Sequence, residues 1–468
     1  MTTKLIFLGA AQNVTGSRFL LDTNGTRILI DCGLYQEREF KARNWDAFPV
    51  PPSSIDALLL THAHLDHSGF LPKLARDGFT GKVYCTDATA DITQIALLDS
   101  AKIQVEDAEF KRKRHEREGR KGPYPEIPLY TVQDAESCCR LLTSIKYEEK
   151  RQIADGIEVS YHDAGHILGA AMIKIVIGTG EKNRTIIFSG DVGRWDKPIL
   201  RNPTVFHEAD YVLVESTYGD RVHDSDEDVN KALANTIKWA CKRGGNILIP
   251  SFAIERAQEV LYHLNELQLS GRIPHLMVFV DSPMAVNVTE AFKRHADLFD
   301  EEMTDFINRG ESPFRFPGLT MVKTVEQSKA INRISGTIIT IAGSGMCTGG
   351  RIKHHLANNI SKKNSVILFV GYQAKGTLGR SIADGAKEVR ILGEKRKVLA
   401  KVARVEGFSG HADRNELDKW LSNLTSPPKK TFVIHGEVDS AKSFSAFLAE
   451  KKGWDTHAPG YGEEFILD

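Results

Sequence analysis

The sequence holds only six cysteines in 468 residues, and no two of them stand in a Cys-x-x-Cys spacing. A chain of this length buries a sizeable core without disulfide staples, so Cys32, Cys85, Cys138, Cys139, Cys241 and Cys347 read as reduced core or near-site residues. The adjacent Cys138 and Cys139 have poor geometry for a mutual bridge and read as a helix-buried pair. Net charge is lacking too. Lys plus Arg and Asp plus Glu number 61 each, so no overall positive field announces a nucleic-acid binder, and only a local basic cleft is left open. No apolar run is long enough for a signal peptide or a membrane span, which places the chain in the cytoplasm with no membrane partner. Internal repeats and low-complexity tracts are absent. What is present, 41 % hydrophobic and 26 % charged residues, is the composition of a folded globular protein. Its length suggests about two or three domains.

Short apolar strands open the chain: Leu5 to Leu8, Arg18 to Asp22 and Thr26 to Asp31, with Asn24-Gly25 as a hairpin turn. The buried run Ala57 to Leu60 follows. From Asp91 to about Glu118 the periodicity is helical and ends in Lys111-Arg112-Lys113-Arg114-His115-Glu116-Arg117. Two readings stand for that run: a solvated face with interleaved acidic partners, the usual fate of charge runs, or a contact for RNA phosphates. Gly119 to Pro128 reads as a loop, and strands resume at Ile157 to Tyr161, Met172 to Ile177 and Thr185 to Ser189. After Asp210 to Glu215, helices at Asp226 to Cys241 and Ala253 to Glu266 alternate with strands at Asn246 to Pro250 and Met277 to Val280, the rhythm of a parallel α/β module. Buried-strand runs continue it at Gly336 to Ala342 and Ser365 to Gly371. Beyond about Val389, the strand Val398 to Val405, the helix Asp413 to Leu421 and the strand Lys430 to Ile434 suggest a return to the first domain, with the second inserted.

The chemistry concentrates in His62-Ala63-His64-Leu65-Asp66-His67. Residues i and i+2 diverge on a helix, so these four donors converge only in a loop leaving a strand, where imidazole and carboxylate can be shared between two metals. Further ligands are expected at strand ends: His166 in Asp163-Ala164-Gly165-His166, Asp191 in Ser189-Gly190-Asp191, and His411 in Gly407-Phe408-Ser409-Gly410-His411-Ala412-Asp413, where Asp413 or Ser409 can cap a helix.

These residues resemble the ligand pattern of metallo-β-lactamase-fold hydrolases. Glu215-Ser216-Thr217-Tyr218-Gly219, Pro250 to Glu259, Asp281-Ser282-Pro283-Met284-Ala285, Gly343-Ser344-Gly345-Met346 and Gly371 to Arg380 resemble the β-CASP branch, nucleases related to the endonuclease subunit of the cleavage and polyadenylation specificity factor. Closest are the short prokaryotic ribonucleases without a KH domain. The resemblance implies an α/β fold: an αβ/βα metallo-β-lactamase sandwich in two parts, 1–208 and 389–468, with a β-CASP domain at 209–388 and the site in a cleft between them. It implies two Zn²⁺ per chain, with Mn²⁺ as a substitute: His62, His64 and His166 on one ion, Asp66, His67 and His411 on the other, Asp191 bridging. The catalytic set is then Asp66, Asp191, Glu215 and His411, with Asp31 supporting the histidine loop. Eukaryotic relatives carry a histidine just after Gly-Thr-Leu, whereas Gly376-Thr377-Leu378 is followed by Gly379, Arg380 and Ser381. The proton donor is therefore open among His411, His354, His355 and His435.

The implied reaction is hydrolysis of RNA by a two-metal-activated hydroxide, endonucleolytic with 5′-to-3′ exonuclease action as an addition. Single-stranded RNA would be held by Arg256, Ser282, Ser344, Gly345 and Arg380, and Tyr218, Phe252 and Tyr372 either stack bases or pack. DNA is not excluded chemically. The rivals are hydrolysis of a small ester, thioester or lactam, and a non-catalytic RNA-binding subunit. The apolar segments Phe444 to Leu448 and Phe465 to Leu467 either form a homodimer contact or pack within the chain.

Overall fold

The computed structural model describes residues 2–178, 183–223, 229–374 and 376–468. The expected helix start Asp226 to Asp228, and Lys375 of the Gly371 to Arg380 motif, lie outside the described residues. The chain folds as two compact units, one of Met1–Asp196, Asn202–Val222 and His411–Asp468, the other of Lys197–Arg201 and His223–Gly410.

The first unit is built on two seven-stranded sheets. One runs, in spatial order, Glu464–Leu467, Thr3–Gly9, Arg18–Thr23, Thr26–Ile30, Ala57–Leu59, Lys82–Cys85, Leu142–Ser144. The other runs Thr456–His457, Lys430–Ile434, Tyr211–Glu215, Arg184–Phe188, Ala171–Ile177, Ile157–Asp163, Arg151–Ala154. Side chains alternate across a strand, and the sequence alternates with them. Leu5, Phe7, Phe19, Leu21, Ile28, Ile30 and Leu59 enter one core with Val159, Ile173, Ile175, Phe188 and Leu213 of the second sheet. Their neighbours Leu8, Leu20, Leu29, Leu58 and Leu60 face the other way, onto Leu71, Leu74, Leu97 and Ala101. Both faces of the first sheet are therefore buried, and each large side chain so covered stabilises the fold by about 1.5–3 kcal/mol. This is the expected αβ/βα sandwich. The Asn24-Gly25 hairpin appears as read, with both residues at positive φ between paired Thr23 and Thr26.

The long helix is Asp87–Glu118, four residues earlier than its periodicity suggests, because Thr86 caps it by accepting the Thr89 amide; Gly119 ends it in the left-handed conformation. Cys138 and Cys139 share the helix Val132–Cys139, and all six cysteines are free thiols. Phe444, Leu448 and Leu467 are buried within this unit, while Ile466 is half exposed. No helix among the described residues is long and apolar enough to cross a membrane.

The second unit carries an all-parallel sheet in the order Leu319–Met321, Met277–Val280, Ile338–Ala342, Ile247–Pro250, Val366–Phe369, Lys401–Arg404. Its inner strands are continuous apolar runs because helices cover both faces. The boundaries expected at 209 and 389 both move. Tyr211–Glu215 pairs with Arg184–Phe188 and Lys430–Ile434 in the first unit. Lys401–Arg404 extends the parallel sheet beside Val366–Phe369, after a hairpin of Glu388–Ile391 and Glu394–Lys397, so the return comes only at His411. An apolar run shows that a strand exists; it does not show which sheet edge the strand joins.

Candidate metal centre

The first unit gathers its polar residues where strands end. Asp31 follows Thr26–Ile30, the histidine run follows Ala57–Leu59, Asp191 follows Arg184–Phe188, Glu215 closes Tyr211–Glu215, and His435 follows Lys430–Ile434. Parallel alignment of these strand ends brings residues far apart in sequence to one edge.

Two donor sets form there. His62, His64, His166 and Asp191 bring ligand atoms within 4.8 Å of one another, and so do Asp66, His67 and His435. His62 Nε2 lies 3.1 Å from His64 Nδ1, and His166 Nε2 lies 3.3 Å from the same atom. In the second set, His67 Nε2 is 3.0 Å from His435 Nε2, which is 3.7 Å from Asp66 Oδ2. Asp191 stands between the sets: Oδ2 is 3.4 Å from His62, while Oδ1 is 3.3 Å from His67 and 3.5 Å from His435 Nδ1. That Oδ1 is buried and has no hydrogen-bond partner. Imidazole nitrogens facing one another at about 3 Å around an unsatisfied carboxylate oxygen suit a cation, which would satisfy them all.

The titration behaviour of the two sets differs. Burial, reinforced by neighbouring imidazoles, lowers His62 to about 3 and His64 to about 4 and takes His166 well below its usual value, so these three imidazoles are neutral and metal-ready at pH 7. Burial would lower His67 and His435 too, but Asp191 together with Asp31 or Asp66 outweighs it and raises both. Asp31 accepts from His67 Nδ1 at 2.7 Å and from the Thr61 amide at 2.8 Å, which turns His67 Nε2 towards Asp191, as expected of the supporting aspartate.

His411 belongs to neither set, although its ring centroid lies 4.5 Å from that of His166. It was expected to complete the second set; instead its Nδ1 is 3.1 Å from Glu215 Oε1 and 3.9 Å from Asp191, and His435 takes the place beside Asp66 and His67. Glu215 is fully buried and accepts from the amides of Val192 at 2.8 Å and Thr217 at 3.2 Å, so its carboxyl group is held in place under a ring that remains 22 % exposed. Against burial, Glu215 raises His411 to about 9. His355 is buried on Asp281 Oδ2 at 2.6 Å in the second unit, His354 is exposed on its helix, and His435 belongs to the donor set. A histidine directly after the apolar strand Lys430–Ile434 repeats the pattern of Ala57–Leu59 and His62, and that repetition was the signal for His435.

Close backbone packing sets the histidine run. Cys32 N donates to the His67 carbonyl at 2.7 Å and Ser17 N to the Asp66 carbonyl at 2.8 Å. A Cβ on Gly33 would lie 1.5 Å from the Asp66 carbonyl oxygen. Gly33→Ala is therefore expected to destabilise by about 1–3 kcal/mol and to loosen metal retention, read by thermal melts with and without chelator.

The expected substrate residues lie in the second unit. The Gly343–Gly345 turn sits beside Ser282 and Phe252, and Phe252 and Tyr372 are about half exposed. Arg256 donates to the Val370 carbonyl and pairs with Glu259 at 3.5 Å. Arg380 pairs with Asp384 at 2.6 Å, and the Ser282 and Ser344 hydroxyls accept from backbone amides of their own loops.

Residues 20–211 match a metallo-beta-lactamase superfamily domain, 257–382 a Beta-Casp domain, and 395–459 a Zn-dependent metallo-hydrolase RNA specificity domain. The chain is 38 % identical over 460 residues to Ribonuclease TTHA0252 of Thermus thermophilus, covering 98 % of this chain and 99 % of that protein. It is 33 % identical over 467 residues to the transcription termination factor FttA of Methanocaldococcus jannaschii, covering 97 % and 70 %. A crystal structure of a protein of unknown function from Enterococcus faecalis shares the fold over all of both chains, at 13 % identity and a TM-score of 0.55. The chain belongs to the Beta-Casp family of the metallo-beta-lactamase superfamily.

Proposed function

We propose that this protein is a metal-dependent ribonuclease that cuts single-stranded RNA internally at a two-zinc centre. The observation that carries the reading is the pair of donor sets meeting at the unsatisfied Asp191 Oδ1, supported by 38 % identity, over nearly the full length, to a protein named as a ribonuclease. His62, His64 and His166 would hold one ion, Asp66, His67 and His435 the other, with Asp191 between them. Bound there, the metals supply a nucleophile at neutral pH and positive charge for the phosphoryl oxygens. The chain supplies the rest. Asp31 fixes the orientation of His67, and Glu215 keeps a proton on His411, whose Nε2 gives it to the departing oxygen.

Labelled RNA and a chromogenic lactam assayed side by side, before and after chelation and zinc or manganese return, test the reading. Internal RNA fragments that vanish with chelator and return with metal support it. Turnover of the lactam alone, or RNA binding without cleavage at any metal loading, overturns it, and mononucleotide release shows end-trimming.

A further inference from the structure

The helix Asp87–Glu118 begins beside the turn that follows His166. Thr86 and Thr89 hydroxyls donate to the Gly169 carbonyl at 2.7 Å each, three residues beyond His166. Thirty-two residues make a rod of about 48 Å at 1.5 Å each. Its first half is anchored by Ile92, Ala96, Leu97 and Ala101, but beyond these only Ala108 and His115 are buried.

The buried positions Leu97, Ala101, Ala108 and His115 follow one stripe. Phe110, Lys113, Arg114 and Arg117, spaced i, i+3, i+4 and i+7, share the opposite face, and Ile103 lies two turns earlier on it. Phe110 is 64 % exposed and Ile103 52 %. Glu109 pairs with Lys113, and Glu118 with Arg114 and Arg120, whereas no ion pair holds Lys111, Arg112, Arg117 or Lys121 among the described residues. From Lys111 to Lys121 there are seven Lys or Arg and two Glu in a chain whose total charge is zero. The following loop folds back through a His115–Glu126 contact and leaves an open pocket of about 520 Å³ lined by Arg120, Lys121 and Tyr124. A purely solvated charged face gives no account of a phenylalanine held in water among cations. A strand with anionic phosphates and stackable bases does.

We propose that this outer face, Phe110 with Lys113, Arg114 and Arg117, is a second RNA-binding platform that grips the strand about 40 Å along the helix from the metal centre. It rests on the ribonuclease reading for its occupant. At about 3.4 Å per stacked nucleotide the span takes about 12 nucleotides, so RNA of about 30 nucleotides reaches it and RNA of about six does not.

The test compares the wild type with the combined variant Phe110→Ala, Lys113→Gln, Arg114→Gln, Arg117→Gln. Binding of both RNAs is followed by fluorescence anisotropy over a salt series, and cleavage of the short RNA is followed in parallel. The long RNA is expected to bind the variant about tenfold more weakly, with a salt slope lower by about 2, from 0.7 for each of three charges. Short-RNA cleavage should be unchanged, which also shows that the variant is folded. Unchanged affinity and slope for the long RNA overturn the platform. Loss of long-RNA binding by a protein whose wild type never cuts RNA overturns the ribonuclease reading and leaves the platform standing.

Discussion

His435→Ala is expected to be purified with about one metal fewer per chain than the wild type and to lose RNA cleavage to background, while His411→Ala keeps its full metal content and loses about 10²–10⁴ in kcat. The difference follows from position. His435 Nε2 meets His67 Nε2 at 3.0 Å beside Asp66, so its removal leaves the second set with Asp66, His67 and Asp191 only. His411 makes its close contact with Glu215 and sits partly exposed, outside both sets. Metal analysis of the two variants, purified without added metal, reads the split directly. A His411→Ala protein that is metal-depleted, beside a His435→Ala protein that is not, would exchange the two roles. Because His67 and His435 are raised and must shed protons before binding a cation, metal affinity is also expected to weaken as pH falls.

Glu215→Gln is expected to move the alkaline limb of kcat to lower pH and not merely to lower its height. A proton donor works while protonated, so wild-type kcat falls as pH rises through the His411 pKa, which Glu215 raises to about 9 against the effect of burial. Without the carboxylate the largest raising influence is gone, and the pKa drops. At a fixed pH above it, kcat then declines about tenfold for each unit of that drop, and acidification restores it. Bound cations pull both limbs down together, so the comparison is made at equal metal loading. A pH–rate profile lowered uniformly, with its limb unmoved, would mean that Glu215 only props the loop through the Val192 and Thr217 amides.

The sandwich, the parallel module and most of the donors were legible because each is a local pattern. Alternation in Thr3–Gly9 and Thr26–Ile30 sets the buried face, and four donors in six residues leave few uses other than metal. The exchange between His411 and His435 was not legible, since both are single histidines after a strand or turn. Which of them meets Asp66 depends on Lys430–Ile434 lying beside Tyr211–Glu215, a pairing across more than two hundred residues. The boundary at 389 was missed for the same reason: Lys401–Arg404 is a strand in either unit until its neighbour Val366–Phe369 is known. Arg256 shows the opposite limit. Its residue type suits phosphate, but its Nη1 is engaged by the Val370 carbonyl and Glu259 lies 3.5 Å from its Nε, partners that the sequence does not show.

The split of the first unit around the second also governs when a newly made chain becomes dangerous. Thr3–Gly9 pairs with Glu464–Leu467, so the opening strand waits for the closing one, and such distant pairings fold late. Asp191 leaves the ribosome well ahead of His411 and His435; at about 5–20 residues per second the gap to His435 lasts about 12–50 s. Until His411 emerges, the nascent chain has neither that histidine nor the His435 of the second donor set. The two-set site proposed above is thereby incomplete until His435 has been made.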